Sequence, residues 1–237
     1  MQYTLGVDIG GTFTDFSLIN AEGKITLWKE ASTPKDSKQA IIKGLNAMSE
    51  NEKLPLSDFL GRLDLFVHGQ TIATNTVIQR NGPKTAVLCT EGFRDVIHFR
   101  DGFKPQRYNI QLQPPKDFVP RYLRIPVTER VNYKGDILKA LDEESVFEAI
   151  KTLKKERVEA VAVSFLWSVV NASHERRVKE ILKSELPDIP VVASSDALPI
   201  IREWERTTCA ILSAYVLPGI SKYMIELEDW LHSNGFK

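Results

Sequence analysis

The stretch DIGGTFTD, residues 8–15, sets two aspartates around Gly10, Gly11, Thr12, Phe13 and Thr14 inside an otherwise apolar run. The two glycines fall where a first strand must turn into a second. There they allow a tight turn and leave its amides uncovered by side chains. Exposed amides in such a turn form an anion cradle. Thr12 and Thr14 add hydroxyls, and Asp8 closes the strand with an oxygen ligand of the kind Mg²⁺ takes, largely through its waters. Together these residues suit a polyphosphate with its metal. The plainer alternative is a hairpin whose glycines serve only the turn. Against it, each aspartate in an apolar run costs burial energy unless it finds a partner. No GKS or GKT follows and GxGxxG is absent, so this is neither a Walker loop nor a dinucleotide fingerprint.

Three further stretches carry polar groups at element ends. HGQTIATN, residues 68–75, ends a strand and opens a helix, where amide groups hold anions. His68, Thr71, Thr74 and Asn75 would face such a site; alternatively Thr71 caps the helix and His68 satisfies a core hydrogen bond. GFRDVIHFRDG, residues 92–102, gathers Arg94, Asp95, Arg100 and Asp101, which equally make a surface ion-pair cluster. Arg107 and Tyr108 follow in a proline-rich stretch. REWERTT, residues 202–208, carries Glu205 and Arg206 on a charged first turn that reads mainly as a solvated face. Cys89 and Cys209 sit in apolar surroundings as packing thiols. His98, His174 and His232 have no ligand spacing, so no zinc site is expected.

These groups must be positioned by an ordinary globular chain. Of 237 residues, 43% are hydrophobic and 26% charged, enough to bury one large core or two small ones. Basic and acidic residues balance at 31 each, which argues against a nucleic-acid partner. The apolar run 160–170 is shorter than the roughly 20 residues that span a bilayer, so a buried strand is expected rather than a membrane segment. With two distant cysteines and no signal-peptide pattern, a cytoplasmic protein is expected. Strands are expected at TLGVDIG, TDFSLIN and KITLWKEAS as an antiparallel meander, then at 63–69, 84–90, 158–167 and 189–195. Helices are expected from about 36, over 71–80, from 142, over 173–186, and as a final pair at 202–216 and 220–232. The class is α/β. Prolines 105, 114, 115, 120 and 126 make 94–135 an irregular insertion between a first portion, 1–93, and a continuation, 136–237.

The DxGGTxTD hairpin resembles the first phosphate motif of the actin, Hsp70 and sugar-kinase superfamily. VDIGGTFTD, HGQTIATNTV, EGFRDV, RVNYKGDI, VEAVAVSFLWSVVNASHE and LPIIREWERTTCAILSAYVLP, six blocks in order from Gly6 to Leu217, resemble the N-terminal part of the hydantoinase A and 5-oxoprolinase family. The resemblance implies a ribonuclease H-like (actin/Hsp70-like) domain with a mixed sheet. It implies ATP and Mg²⁺ as cofactors and a cyclic amide as substrate, whose carbonyl oxygen is phosphorylated so that water can open the ring. The related ketone carboxylases would instead use an enolate oxygen. It also implies catalytic roles for Asp8, Asp15, Arg94 and Asp95, metal contact through Asp8, and cofactor contacts from Gly10, Gly11, Thr12, Phe13, Thr14, His68, Thr71, Thr74 and Asn75. The family usually has threonine where this chain has Gln70. A second ribonuclease H-like domain and a second subunit complete the enzyme in the family, so an oligomer is expected and the lone chain should bind nucleotide weakly without turnover. A nucleotide-gated regulatory module and a catalytically silent assembly subunit are the readings of other classes.

Overall fold

Alternating apolar residues and two short turns make the first thirty residues a meander. The computed structural model describes residues 2–33, 36–102, 106, 108–113 and 115–237. Arg107 lies outside these, as do Pro105 and Pro114. Strands β1 (Tyr3–Ile9), β2 (Phe13–Asn20) and β3 (Ile25–Ala31) pair antiparallel in turn, and β4 (Leu63–Gln70) joins β1 in parallel, giving the order β3-β2-β1-β4. Between β3 and β4 run helices α1 (Ser37–Asn51) and α2 (Leu56–Leu60); α3 (Ile72–Gln79) follows β4. With a period of two, Tyr3, Leu5, Val7 and Ile9 point inward and meet Phe16, Leu18, Ile41, Leu45 and Met48.

The register puts Thr4, Gly6, Asp8, Asp15, Ser17, Leu27, Lys29, Val67 and Gly69 on the other face. That face is open. Ile25, Leu27, Leu65 and Val67 are 60%, 75%, 52% and 53% exposed on it, more aliphatic surface than a solvated sheet face normally carries.

The second sheet is parallel, ordered β10-β9-β5-β6, from β5 (Thr85–Thr90), β6 (Arg124–Val127), β9 (Ala160–Ser164) and β10 (Val191–Ala193). Its central strands are buried at every position, which is why AVLC and AVAV read as continuous apolar runs. Helices α5 (Glu143–Lys155) and α6 (Ser173–Glu185) supply Val146, Ile150, Leu153, Val178 and Leu182 to its core. The Asp142 side chain accepts from the Glu144 amide at the start of α5. A small ribbon of β7 (Arg130–Val131) and β8 (Ile137–Lys139), and the short helices α4 (Val96–Phe99) and α7 (Ser194–Ala197), complete this part.

Three expectations need correction. The chain forms two units, 1–78 with 219–237 and 79–218, rather than dividing at 93 and 135. The reason is strand pairing: β5 joins β9, which ties 85–90 to the later residues. The stretch 94–135 is not wholly irregular, because 124–127 forms β6; Pro126 is tolerated there since β6 is an edge strand. Last, the two closing helices are one, α8 (Glu203–Ser233), running through Pro218, which removes a single amide donor. It is long enough, and one 18-residue stretch of it apolar enough, to suit a bilayer, yet it gives Ala210, Ile211 and Ala214 to one core and Leu227 and Leu231 to the other.

Candidate functional site

The β1–β2 turn is held from below. The Gly10 amide donates to the Phe13 carbonyl (2.9 Å), the Ser32 hydroxyl donates to the Gly10 carbonyl (2.9 Å), and the Ser32 amide donates to Thr12 (2.9 Å). Among the described residues no group accepts from the Gly11 or Thr12 amide, so two donors are left facing out. Neither Gly10 nor Gly11 uses the left-handed region, so backbone freedom is not why they are glycines. A Cβ on Gly10 would press on the Phe13 carbonyl at 3.0 Å, whereas one on Gly11 would meet nothing within 4 Å. The fold requires the first glycine; the second leaves open space beside the free amides.

Thr14 departs from its expected place. It is fully buried and its hydroxyl is hydrogen-bonded to Ser32 (3.0 Å), because position 14 lies on the core-facing side of β2. It fastens the turn to the end of β3 and offers nothing to a ligand. Thr12 and Phe13 are exposed at the tip, with the Lys29 ammonium 5.1 Å from the Phe13 ring.

Asp8 and Asp15 are directly opposed across the antiparallel pair, a like-charge arrangement that destabilises a sheet unless compensated. Lys29, next across from Asp15, pairs with it at 2.9 Å. Among the described residues Asp8 has no such partner, and its carboxylate is exposed. On the other side it faces Gly69, where a Cβ would stand 3.0 Å from Asp8 Oδ1. Glycine on β4 therefore keeps the approach to the carboxylate clear. No group of three metal-ligating side chains occurs among the described residues. One uncompensated carboxylate beside two free amides nevertheless fits a hydrated Mg²⁺ carried in with phosphate.

The parallel β1–β4 pair brings the start of α3 to the same end of the sheet, since Ile9 is aligned with Gln70. Thr71 donates to the Ile9 carbonyl (3.4 Å) and accepts from Asn75 Nδ2 (3.3 Å), which ties helix to turn. The first amide of α3, Ile72, donates to the Gln70 side chain (2.6 Å), so Gln70 caps the helix in place of the expected Thr71. Thr74 and Asn75 are exposed, and no α3 residue is buried.

His68 turns the other way, its Nε2 sharing a hydrogen bond with the Tyr223 hydroxyl (2.7 Å). Its Nδ1 is buried without a partner. Burial holds the imidazole below its usual range against the pull of nearby Asp8, and burial likewise pushes the Tyr223 phenol up. The core-hydrogen-bond alternative for His68 is the arrangement observed. Tyr223, Ser32 and Lys29 escaped notice in the sequence; only Lys29 carried a signal, as a cation two strands along from Asp8.

Arg94 and Asp95 belong to the other unit. Asp95 receives a forked pair of hydrogen bonds from Arg121 (3.0 and 2.9 Å), and Arg124 approaches at 3.4 Å. Arg121 first, then the other arginines, hold its carboxyl below the usual range. Arg94 lies 4.0 Å from Asp95 and lines a cavity of about 20 Å³ at the ends of β5 and β9, room for one or two waters. Arg206, expected on a solvated face, is instead buried: it donates to Ser194, Phe165 and Ile200. Beside it Glu175 accepts from Phe165, Ser194 and Ser195, and Glu129 is bonded to His174 (2.8 Å) and Thr90. Cys89 is buried with its thiol pushed up to about 12, inert as expected.

Residues 4–186 match the family model of the hydantoinase/oxoprolinase N-terminal region. The chain belongs to this family. Among hydantoinase/oxoprolinase relatives, the caprolactamase alpha subunit of Pseudomonas jessenii is 37% identical over 229 residues, covering 96% of this chain and 33% of that one. The crystal structure of the ATP-dependent caprolactamase from the same organism superposes with a TM-score of 0.90 at 36% identity, over 98% of this chain and 34% of that chain. The nucleotide-free structure of acetone carboxylase, whose carboxylation is ATP-dependent, gives 0.88 at 27% identity, over the whole chain and 35% of that one. The hydantoinase/oxoprolinase chain described here thus spans about a third of the length of the relatives it matches.

Proposed function

We propose that this chain is the N-terminal, ATP-binding part of an ATP-dependent cyclic-amide hydrolase that phosphorylates a carbonyl oxygen. The observation that carries the reading is the pair of free amides at Gly11 and Thr12 beside the uncompensated Asp8, in a chain similar along its length to an ATP-dependent caprolactamase. An amide is a poor electrophile because its nitrogen donates into the carbonyl. ATP, when bound, would supply a phosphoryl group that draws electrons from the amide oxygen, so that one water could attack the carbon with departure of the ring amine and a second water could then free the phosphate. The chain's own residues do the positioning: the Gly11 and Thr12 amides would hold phosphate oxygens, Asp8 would hold Mg²⁺, and Thr71 with Ser32 keeps the turn rigid. Lys29 holds Asp15 in place, so that only one of the two carboxylates is free for the metal.

A ketone carboxylase is the second reading, favoured by the likeness to acetone carboxylase; the same phosphate chemistry would then act on an enolate oxygen. The first unit is taken as one ribonuclease H-like domain of a two-domain cleft, in a cytoplasmic enzyme of more than one chain or domain. Its open sheet face, with Ile25, Leu27, Leu65 and Val67, is the surface the remaining two-thirds of a family-length protein would cover.

The deciding experiment is ATP hydrolysis with Mg²⁺ by the family-length protein against 5-oxoproline, hydantoins, lactams and ketones, beside Asp8→Ala. Stimulation by one cyclic amide that disappears in the variant supports the proposal. Stimulation by a ketone alone selects the carboxylase, and ATP binding without stimulation by any compound selects a regulatory module.

A further inference from the structure

We propose that the second unit carries a binding site for a carboxylate borne on a small ring or short chain, in the cavity between α4, residues 115–118 and the first turns of α8. The cavity measures about 150 Å³, the size a six-membered carbon ring fills. Ile97, Phe118 and Trp204 make apolar walls, and Arg80, Arg100 and Lys116 reach its rim. Its one acidic lining residue among those described, Asp117, is already bonded to Arg124 and His98. Among the described residues none of the three rim cations has a carboxylate within ion-pair distance. Three uncompensated cations over an apolar floor suit an amphipathic anion better than a neutral ring or a fully hydrated ion.

Two details set the arginines apart from a solvated fringe. The Arg80 guanidinium lies over the Phe118 ring at 4.3 Å, a stacking that fixes its plane and leaves its edge donors free. Arg100 sits at φ 55°, ψ −146°, a conformation close to one that only glycine adopts without strain. Strain of that kind persists where the surrounding structure holds the residue in place. Its Nη2 donates to the Pro115 carbonyl (3.3 Å), which aims the group along the cavity rim. The site requires neither nucleotide nor the proposed reaction.

The test is calorimetric titration of the 237-residue chain, without nucleotide, with benzoate, benzamide, acetate and inorganic phosphate. Benzoate is expected to bind saturably at one site, at least about tenfold tighter than each of the others, because it alone satisfies both walls and rim. Arg100→Gly should raise the melting temperature by relieving strain and weaken benzoate at least about tenfold; Trp204→Leu should weaken it with the fold intact. Lys116→Gln, on an exposed side chain, repeats the charge test without touching the backbone. Benzoate binding no tighter than benzamide or phosphate, or undiminished in folded Arg100→Gly and Lys116→Gln, would mean an adventitious ion only and would overturn the proposal.

Discussion

Gly11→Ala separates the turn from the cradle. A methyl group at residue 11 meets no atom within 4 Å, and the backbone there is not left-handed, so the folded chain accepts it. Restricting the unfolded chain should then stabilise the protein by about 0.4–1 kcal/mol. The same methyl occupies the open space beside the Gly11 and Thr12 amides, where a phosphate oxygen must come. Losing one charge-assisted hydrogen bond there costs about 1.5–3 kcal/mol, or about ten- to a hundredfold in affinity. At ten times its Kd, MgATP stabilises the parent chain by about 1.4 kcal/mol; at the same concentration a tenfold weaker variant gains only about 0.4 kcal/mol. The difference of about 1 kcal/mol appears as a ligand-induced Tm shift smaller by about 2–4 °C. Thermal melts with and without MgATP read both numbers from one sample. A variant that melts at or above the parent temperature and still shows the full ATP shift refutes the phosphate cradle.

Gly44→Ala should do the opposite and damage only the fold. A Cβ at that position falls 2.3 Å from Cζ of the buried Phe16, so the about 1 kcal/mol that alanine normally gains in a helix is outweighed by overpacking of about 1–3 kcal/mol or more. A urea midpoint at or above the parent's would show that α1 does not seat on Phe16. The half-buried His68 makes the first unit sensitive to acid. Its folded imidazole is held below its ordinary range, so the unfolded chain takes the proton first; the stability is complete above about pH 6.5 and declines as pH falls below it. Comparing denaturation midpoints at pH 7.5 and 5.5 in parent and His68→Gln tests this, and an unchanged pH slope in the variant refutes it.

Much of the scaffold was legible because local periodicity and global packing agree. The meander, α1, α5, α6 and the two fully buried strands β5 and β9 stand where alternation, helical spacing or a continuous apolar run puts them. Disagreement came where one residue carried a strong local rule. Pro126 argued against a strand, but an edge strand need not supply that amide, so β6 forms beside β5. Pro218 argued for a break, but losing one donor does not stop a helix packed on both sides of the proline, with Tyr215 before it and Leu227 after. Arg206 looked solvated by composition. Its environment is set by α7 and by the loop after β9, neither of which has a local signature.

The candidate site shows the same division in finer grain. Residue types at 8–15 reveal the kind of chemistry, but which of them face a ligand is settled by parity along β2 and by what lies one strand away. Thr14 and Asp15 are neighbours in sequence and opposite in fate: one is spent on Ser32 inside the sheet, the other on Lys29 outside it. Asp8 differs from Asp15 only in having Gly69 across from it instead of a cation. If that asymmetry is what leaves Asp8 free for the metal, the chemistry of the turn depends as much on β3 and β4 as on the motif that advertises it.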